Sequence, residues 1–472
     1  MKYFRISSAC GALVLLLAST TANATNLLDV YTASYDNDPV LGAARAGYQA
    51  SRQAVPQARS ALLPSLNASA TTTYTEREFP GGVVTDPSSI FFGQSLPDQE
   101  FNDHGWNAQL SQPVLDMNAW FTLGSAKASV RAAESNLDAT EQELIVRVVR
   151  AYLNVLRAQD LLDTTTAEET AVKRQLEQVQ QRFDVGLVAI TDVLESQAAY
   201  DNAVVRRIQA DGDRDIFFET LGTLSGEYYE TLDRLSVKLP IVNPNPQDER
   251  EWVDAAMAQN LGIRTAQEQL AAARRTVQAR RSGHYPTIDA TVTQVHSVTG
   301  APNFFGVDTT DQTVYGLQFN MPLYNGGLVR SRTKEATALA EQARELLLNQ
   351  QRTVTRDTRN LFQSVATDVV RVRARLKAIK SSQSALDATE TGYEVGTRNI
   401  VDVLQAQQRL FSSQFDYADS RYNYVTNLML LKQVAGVLVK ADLEELNSYT
   451  DPNDKVERIV LLSNSAVNTG AN

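Results

Sequence analysis

Two stretches of this chain repeat one another, and each lies between two long helical patterns. The first runs Arg182-Phe183-Asp184-Val185-Gly186-Leu187-Val188-Ala189-Ile190-Thr191-Asp192-Val193-Leu194. The second runs Gly392-Tyr393-Glu394-Val395-Gly396-Thr397-Arg398-Asn399-Ile400-Val401-Asp402-Val403-Leu404. Both read aromatic, acid, Val, Gly, a short break, then Asp-Val-Leu. The central glycines stand about 210 positions apart, a period that spans half the chain. Glycine ends a helix by taking the left-handed conformation, and Thr191 or Asn399 is placed to cap the helix that follows. A chain with one such long hairpin in each half is a duplicated architecture, not a string of unrelated domains.

The rest of each half follows the same order. A helix over 26–60, interrupted at Asp38-Pro39, ends at Pro64. Beyond it the period changes from about 3.6 to about 2. Leu66, Ala68, Ala70, Thr72 and Tyr74 alternate with Asn67, Ser69, Thr71 and Thr73. Alternation resumes with Trp106, Ala108 and Leu110 and stops at Pro113. The spacing predicts strands over 66–78 and 104–114, joined by a turn-rich loop, and then a helical hairpin over 118–224. Its first helix carries Val130, Ala133, Leu137, Leu144, Val148, Val155 and Leu162 at coiled-coil steps. The proline-rich break over 228–247 reads as a linker between repeats. The second half repeats the pattern, with strands over 286–298 and 312–322 and a helical hairpin over 328–439. The first repeat thus spans 25–227 and the second 248–439, leaving 440–472 as a polar tail expected to be partly disordered.

Residues 1–24 read as an export signal, with Lys2 and Arg5, an apolar stretch over 11–18, and a small-x-small site at Ala22-Asn23-Ala24. The single cysteine, Cys10, opens that apolar stretch instead of following it, so it is misplaced for a lipid anchor. The processed chain is then free of disulfides and thiol chemistry. Nothing later is apolar for about 18 residues, so any membrane crossing must use β-strands. A formal net charge of −11 argues against a nucleic-acid partner. His104, His284 and His296 have no metal-ligand spacing, and no nucleophile or phosphate-loop motif is present. An enzyme is excluded on these grounds, and no cofactor is expected.

Four amphipathic strands of about ten residues match an outer-membrane crossing. Four strands cannot close a barrel, and open edges are not tolerated in lipid, so other copies must complete the sheet. A homotrimer gives twelve strands, continuous with a tube of long helices. The fold class is therefore mainly α with a membrane β part. Aromatic residues at the strand ends, among them Tyr74, Trp106, Trp120, Tyr285, Tyr315 and Tyr324, suit membrane interfaces. The competing reading is an exported, coiled-coil-rich fibre or adhesin capped by two β-hairpins. A passive porin is a further alternative, but it has no use for long helices.

The duplication, the strand exits Gln-Pro-Val-Leu-Asp (112–116) and Met-Pro-Leu-Tyr-Asn-Gly-Gly (321–327), and the two Val-Gly turns resemble the TolC family of outer-membrane efflux ducts. The resemblance covers nearly all of the chain after the signal. It implies a trimeric twelve-stranded barrel in outer-membrane lipid and a long helical barrel in the periplasm. An equatorial region is implied from the inter-repeat segment and the C-terminal part. Implied partners are a periplasmic adaptor and an inner-membrane pump of the RND or ABC type, with drugs or proteins as cargo.

Carried over residue by residue, the resemblance makes Thr191, Asp192, Tyr393 and Arg398 a gate lock. Tyr393 and Arg398 of the second hairpin would bond Asp192 and Thr191 of the first. Asp402 matches the first of two acidic residues at the pore constriction, and Gln405 stands where the second is expected, a departure that implies weaker cation selectivity. Gly186, Leu187, Val188 and Gly396 are the implied adaptor-docking turns. The plainer alternative is that Asp192 and Asp402 are first-turn residues favoured by the helix dipole.

Overall fold

The computed structural model describes residues 25–79, 82–95, 97–301 and 308–458. The export signal and the residues beyond 458 lie outside the described residues, so the expectations for them are not addressed. In chain order the elements are α1 (Leu27–Asn37), α2 (Pro39–Arg52), α3 (Ala54–Ser60), β1 (Ser65–Arg77), β2 (Gln99–Leu115), α4 (Met117–Asp184) and α5 (Ile190–Ser225). They continue with β3 (Thr231–Leu235), α6 (Glu249–Gln259), α7 (Leu261–Arg281), β4 (Thr287–Val298), β5 (Thr309–Asn320), α8 (Leu328–Glu394), α9 (Ile400–Val434), α10 (Lys440–Asn447) and β6 (Thr450–Glu457).

The strands of both halves form one antiparallel sheet in the order β1-β2-β4-β5. Its outer members, β1 and β5, have no further strand beside them among the described residues. The register fixes the faces. Leu66 opposes Leu110, Leu110 opposes Val292, and Val292 opposes Tyr315, so these share one side. The other side carries Asn67, Gln109, Thr293 and Val314 in one row and Ser69, Asn107, Val295 and Gln312 in another. One face is thus broadly apolar and the other is small and polar, as alternation requires. The apolar face also carries polar pairs: Thr313 Oγ1 donates to Gln294 Oε1, and His296 Nδ1 lies 2.7 Å from Asp311 Oδ1, with Trp106 stacked on the imidazole.

Several boundaries differ from the sequence reading. β2 begins at Gln99, inside the stretch read as loop, and β5 begins at Thr309. The helical stretch over 26–60 breaks at Asp38, where the sequence reading placed an interruption, and again at Gln53, which makes no side-chain cap bond. Asn260 divides α6 from α7 by capping α7 through its side chain. The last long helix stops at Val434, where Gly436 turns at φ 76°. The break after the first hairpin contains β3, and the polar tail contains α10 and β6, which pairs with β3. Pro452 falls where the β3–β6 register slips, a place that tolerates a missing N–H.

α4 shows how surroundings change along one helix. Near the sheet it buries Ala128, Ala132 and Ser135, small residues that let α7 approach. Ser125 Oγ donates to the Ala272 carbonyl there at 3.0 Å. The expected seam residues Val130, Ala133 and Leu137 are only half-buried, because the small-residue stripe is what fits α7. Across the middle, Leu144, Ile145, Val148, Val149, Tyr152 and Leu156 are buried on every side, wrapped by α1, β3, α9 and α10. Towards the tip a single seam remains: Leu162, Thr165, Glu168, Val172, Gln175 and Val179, spaced by three or four.

The middle of the molecule is also tied by charge. Tyr422 Oη of α9 donates to Asp160 of α4 at 2.7 Å. Arg234 of β3 pairs with Asp160 at 3.4 Å and with Asp454 of β6 at 3.4 Å. Burial pushes the Asp160 carboxyl above its ordinary value, while the hydrogen bond from Tyr422 opposes that rise. Higher up, Asp38 caps α2 through the Leu41 amide at 2.7 Å and takes both guanidinium nitrogens of Arg147 at 2.9 Å. The Asp38 side chain is 1% exposed. Burial alone would raise its pKa, but the Arg147 and Leu41 hydrogen bonds outweigh that and hold it below the usual value. A depressed folded-state pKa means stability that is present at neutral pH and lost as pH falls through the carboxylate range. Arg147→Met strands this carboxylate and is expected to cost about 3 kcal/mol at pH 7 in denaturant unfolding, with the deficit shrinking towards pH 3. Equal deficits at both pH values would show that the pair contributes nothing through charge.

Candidate functional site at the hairpin tips

Each hairpin reverses through the same backbone device. At the end of α4 the Gly186 N–H donates to Phe183 O at 2.8 Å and the Leu187 N–H to Arg182 O at 2.8 Å, with Gly186 at φ 80°. At the end of α8 the Gly396 N–H donates to Tyr393 O at 3.1 Å and the Thr397 N–H to Gly392 O at 2.8 Å, with Gly396 at φ 79°. These paired bonds are a Schellman closure, which needs a left-handed residue at the glycine position. A Cβ at either glycine would meet nothing within 4 Å, so only the backbone conformation demands glycine there.

The following helices start differently. Asn399 caps α9, accepting from the Asp402 N–H at 2.8 Å while the Asp402 carboxylate accepts from the Asn399 N–H at 3.3 Å. That reciprocal pair is a capping box with Asp in the third position. α5 begins at the equivalent position of its motif, Ile190, but its cap is Ala189, which makes no side-chain bond. Thr191 therefore lies inside the first turn and does not cap, contrary to the expectation from its position.

The two tips pack together within one protomer. Val179 of α4, Val193 of α5, Leu386 of α8 and Ile400, Val403, Ala406 and Leu410 of α9 form a separate apolar cluster, against which Phe183, Val188 and Tyr393 lie. Beside it runs a cleft of about 320 Å³ lined by Gln175, Arg182, Glu390, Tyr393, Glu394 and Gln407, among others. The Arg182 guanidinium sits 5.2 Å from the Tyr393 ring centre, a cation–π contact from the first hairpin to the second. The Tyr393 hydroxyl is buried and has no hydrogen-bond partner within the protomer.

The residues expected to form the lock are thus brought to one end of the molecule, but among the described residues no hydrogen bond joins Tyr393 or Arg398 to Thr191 or Asp192. Arg398, in the turn just ahead of α9, is 61% exposed and stands 3.9 Å from Asp402. Asp402 is occupied by its capping box, and Gln405 is exposed three residues further on. Of the docking turns, Leu187 is 73% exposed, whereas Val188 turns inward to the cluster. Val185, Ile190 and Val395 add exposed apolar surface that the sequence reading did not single out. Arg182 was also overlooked: it opens the first motif, but its contact with Tyr393 leaves no local pattern.

The family model described as "Outer membrane efflux protein" matches residues 30–227 and 252–437. Outer membrane protein TolC of Vibrio cholerae is 34% identical over 446 residues, spanning 94% of this chain and 97% of the relative. The alkaline protease secretion protein AprF of Pseudomonas aeruginosa is 28% identical, spanning 92% and 89%. Among solved structures, the Campylobacter jejuni CmeC outer membrane channel superposes with a TM-score of 0.73 at 15% identity, covering 95% of this chain and 98% of that one.

Gly186→Ala and Gly396→Ala are each expected to cost about 1 kcal/mol, through φ alone. Hydrogen exchange at the closing amides, Leu187 and Thr397, is then about fivefold faster in the matching variant, with the equator unchanged.

Proposed function

The chain belongs to the outer membrane efflux protein family, and from that premise we propose how its tips gate a duct and what the duct works with. The protein is an outer-membrane efflux and secretion channel, with its helical part in the periplasm. TolC-family channels work as trimers with adaptor and pump partners. The reading for this chain is a homotrimer whose three four-stranded sheets close a twelve-stranded barrel. The observation that carries it is that, among the described residues, no strand pairs beyond β1 or β5, since lipid leaves such edges unsatisfied. Channel action needs no reaction at the protein and no cofactor.

The gate reading starts from the unpartnered Tyr393 hydroxyl. A buried phenol without a partner costs about 1–3 kcal/mol, so assembly is expected to supply its acceptor. Asp192 and Thr191 of the first hairpin, in the same or a neighbouring copy, are the acceptors of this reading, and exposed Arg398 reaches the same residues. Arg182 holds the Tyr393 ring in place for them. Each such link contributes about 1 kcal/mol, enough in three copies to keep the mouth shut yet weak enough for adaptor binding to open it. Leu187, with Gly186, Gly396 and the exposed Val185 and Val395, offers the adaptor an apolar tip, and Val188 supports that surface from below. An inner-membrane RND or ABC pump selects the cargo, drugs or proteins.

Single-channel recording in planar bilayers tests the lock. The Tyr393→Phe/Arg398→Ser double variant is expected to raise the resting conductance severalfold, and an unchanged conductance would remove both residues from the gate. Asp402 as the only acidic ring at the constriction implies weak discrimination. Gln405→Asp is expected to raise the cation-to-anion permeability ratio and to introduce block by a trivalent cation. If the ratio does not move, position 405 does not face the pore.

A further inference from the structure

The chain is acidic overall, yet the segments that meet the sheet are not. Stretches 53–64, 117–133, 269–286 and 321–334 hold ten Lys and Arg and no Asp or Glu, in a chain with 55 acidic residues. These are the helix ends and strand exits that lie directly beneath the strands. Exposed apolar and aromatic side chains occupy the same level: Leu323 is 87% exposed and Trp120 is 62% exposed, with Tyr285 and Tyr324 also open. A cationic band interleaved with exposed aromatics is the composition of a protein surface at an acidic membrane interface.

Within that band α4 and α7 form a groove of about 350 Å³ lined by Trp120, Gly124, Lys127, Arg131 and Arg275, among others. Trp120 lies about one turn below the sheet and Lys127 about three. Gly124 lies against the Arg275 side chain, where a Cβ would meet its Cδ at 3.4 Å, an ordinary contact. Arg131 is already held by Glu268 at 2.7 Å. Among the described residues Lys127 and Arg275 have no carboxylate within 4.0 Å, and Arg275 donates only to Gln278. The groove therefore presents two uncompensated cations under an exposed indole.

We propose that this groove binds the phosphate headgroup of an acidic phospholipid from the periplasmic leaflet of the outer membrane. The indole sits at headgroup level, and Lys127 and Arg275 take the phosphate oxygens. The inference rests on the outer-membrane placement and not on the gate reading. An anionic cargo inside the duct would meet the same cations if they faced inward, but the exposed Trp120 and Leu323 favour lipid, since a water-filled wall has no use for them.

The test uses the full-length protein, purified in detergent and followed by native mass spectrometry during titration with phosphatidylglycerol or phosphatidylcholine. Phosphatidylglycerol is expected to be retained preferentially, and Lys127→Gln/Arg275→Gln to lose retention by about fivefold for each charge removed. Lys127→Arg/Arg275→Lys is expected to keep it. Equal retention of the two lipids by the unmodified protein overturns the proposal, whatever the variant's fate in assembly. So does a correctly assembled Gln variant with unchanged phosphatidylglycerol retention. If the Gln variant instead leaves lipid retention intact and shifts anion permeability in bilayers, the cations face the duct and the lipid site is refuted.

Discussion

A backbone N–H or C=O cannot be left without a partner in hydrocarbon, and that constraint organises this molecule more than any side chain does. Among the described residues one chain supplies a sheet with two unpaired edges, which lipid does not tolerate. Everything below the sheet inherits the requirement. The helices that leave the strands descend as neighbours in a ring, and each must bury a face against its own chain and another against a copy. The exposed Leu194, Val205, Ile208 and Ile216 of α5 fit that expectation, as surfaces the single chain leaves open.

The duplication has been used unequally. Both tips keep the Schellman closure, with the same pair of amide bonds and the same glycine. Only the second has a capping box, and only the second sends a tyrosine into the cleft beside the first. That asymmetry gives the tip a hairpin that receives and a hairpin that reaches. At the equator the opposite holds. There the Asp160, Tyr422 and Arg234 cluster joins α4 and α9, one from each half, through the strand between them. This cluster lies about 40 Å from the hairpin tips, taking about 1.5 Å per helical residue.

How much of this was legible follows from where the information is stored. The tip glycines were legible because a left-handed backbone leaves few choices of residue. The long helices were legible because their periodicity persists over many turns. The strand start at Gln99 was not, because Gln99–Asp103 carries no alternation and pairs through backbone and through contacts such as Tyr74 Oη to Glu100 at 2.9 Å. β3 and β6 were read as linker and tail because Thr-Leu-Asp-Arg-Leu is short and Thr-Asp-Pro-Asn-Asp is turn-like; only their pairing makes them strands. Thr191 was misplaced because the cap is Ala189, two residues earlier, and Arg182 was missed because its partner lies in the other half of the chain.

β3 lies between two distant partners. Thr25 bonds one edge, through its N–H to Thr231 O at 3.2 Å and its carbonyl to the Asp233 N–H at 3.3 Å, and β6 bonds the other. The strand in the middle is therefore made early and completed late, since β6 follows it by roughly two hundred residues. Hairpins whose contacts are local form quickly, whereas this three-part clasp waits for remote chain to arrive and bears the full loop-closure entropy. A copy truncated before β6 keeps the residues of its long hairpins but lacks the strand that pairs with β3.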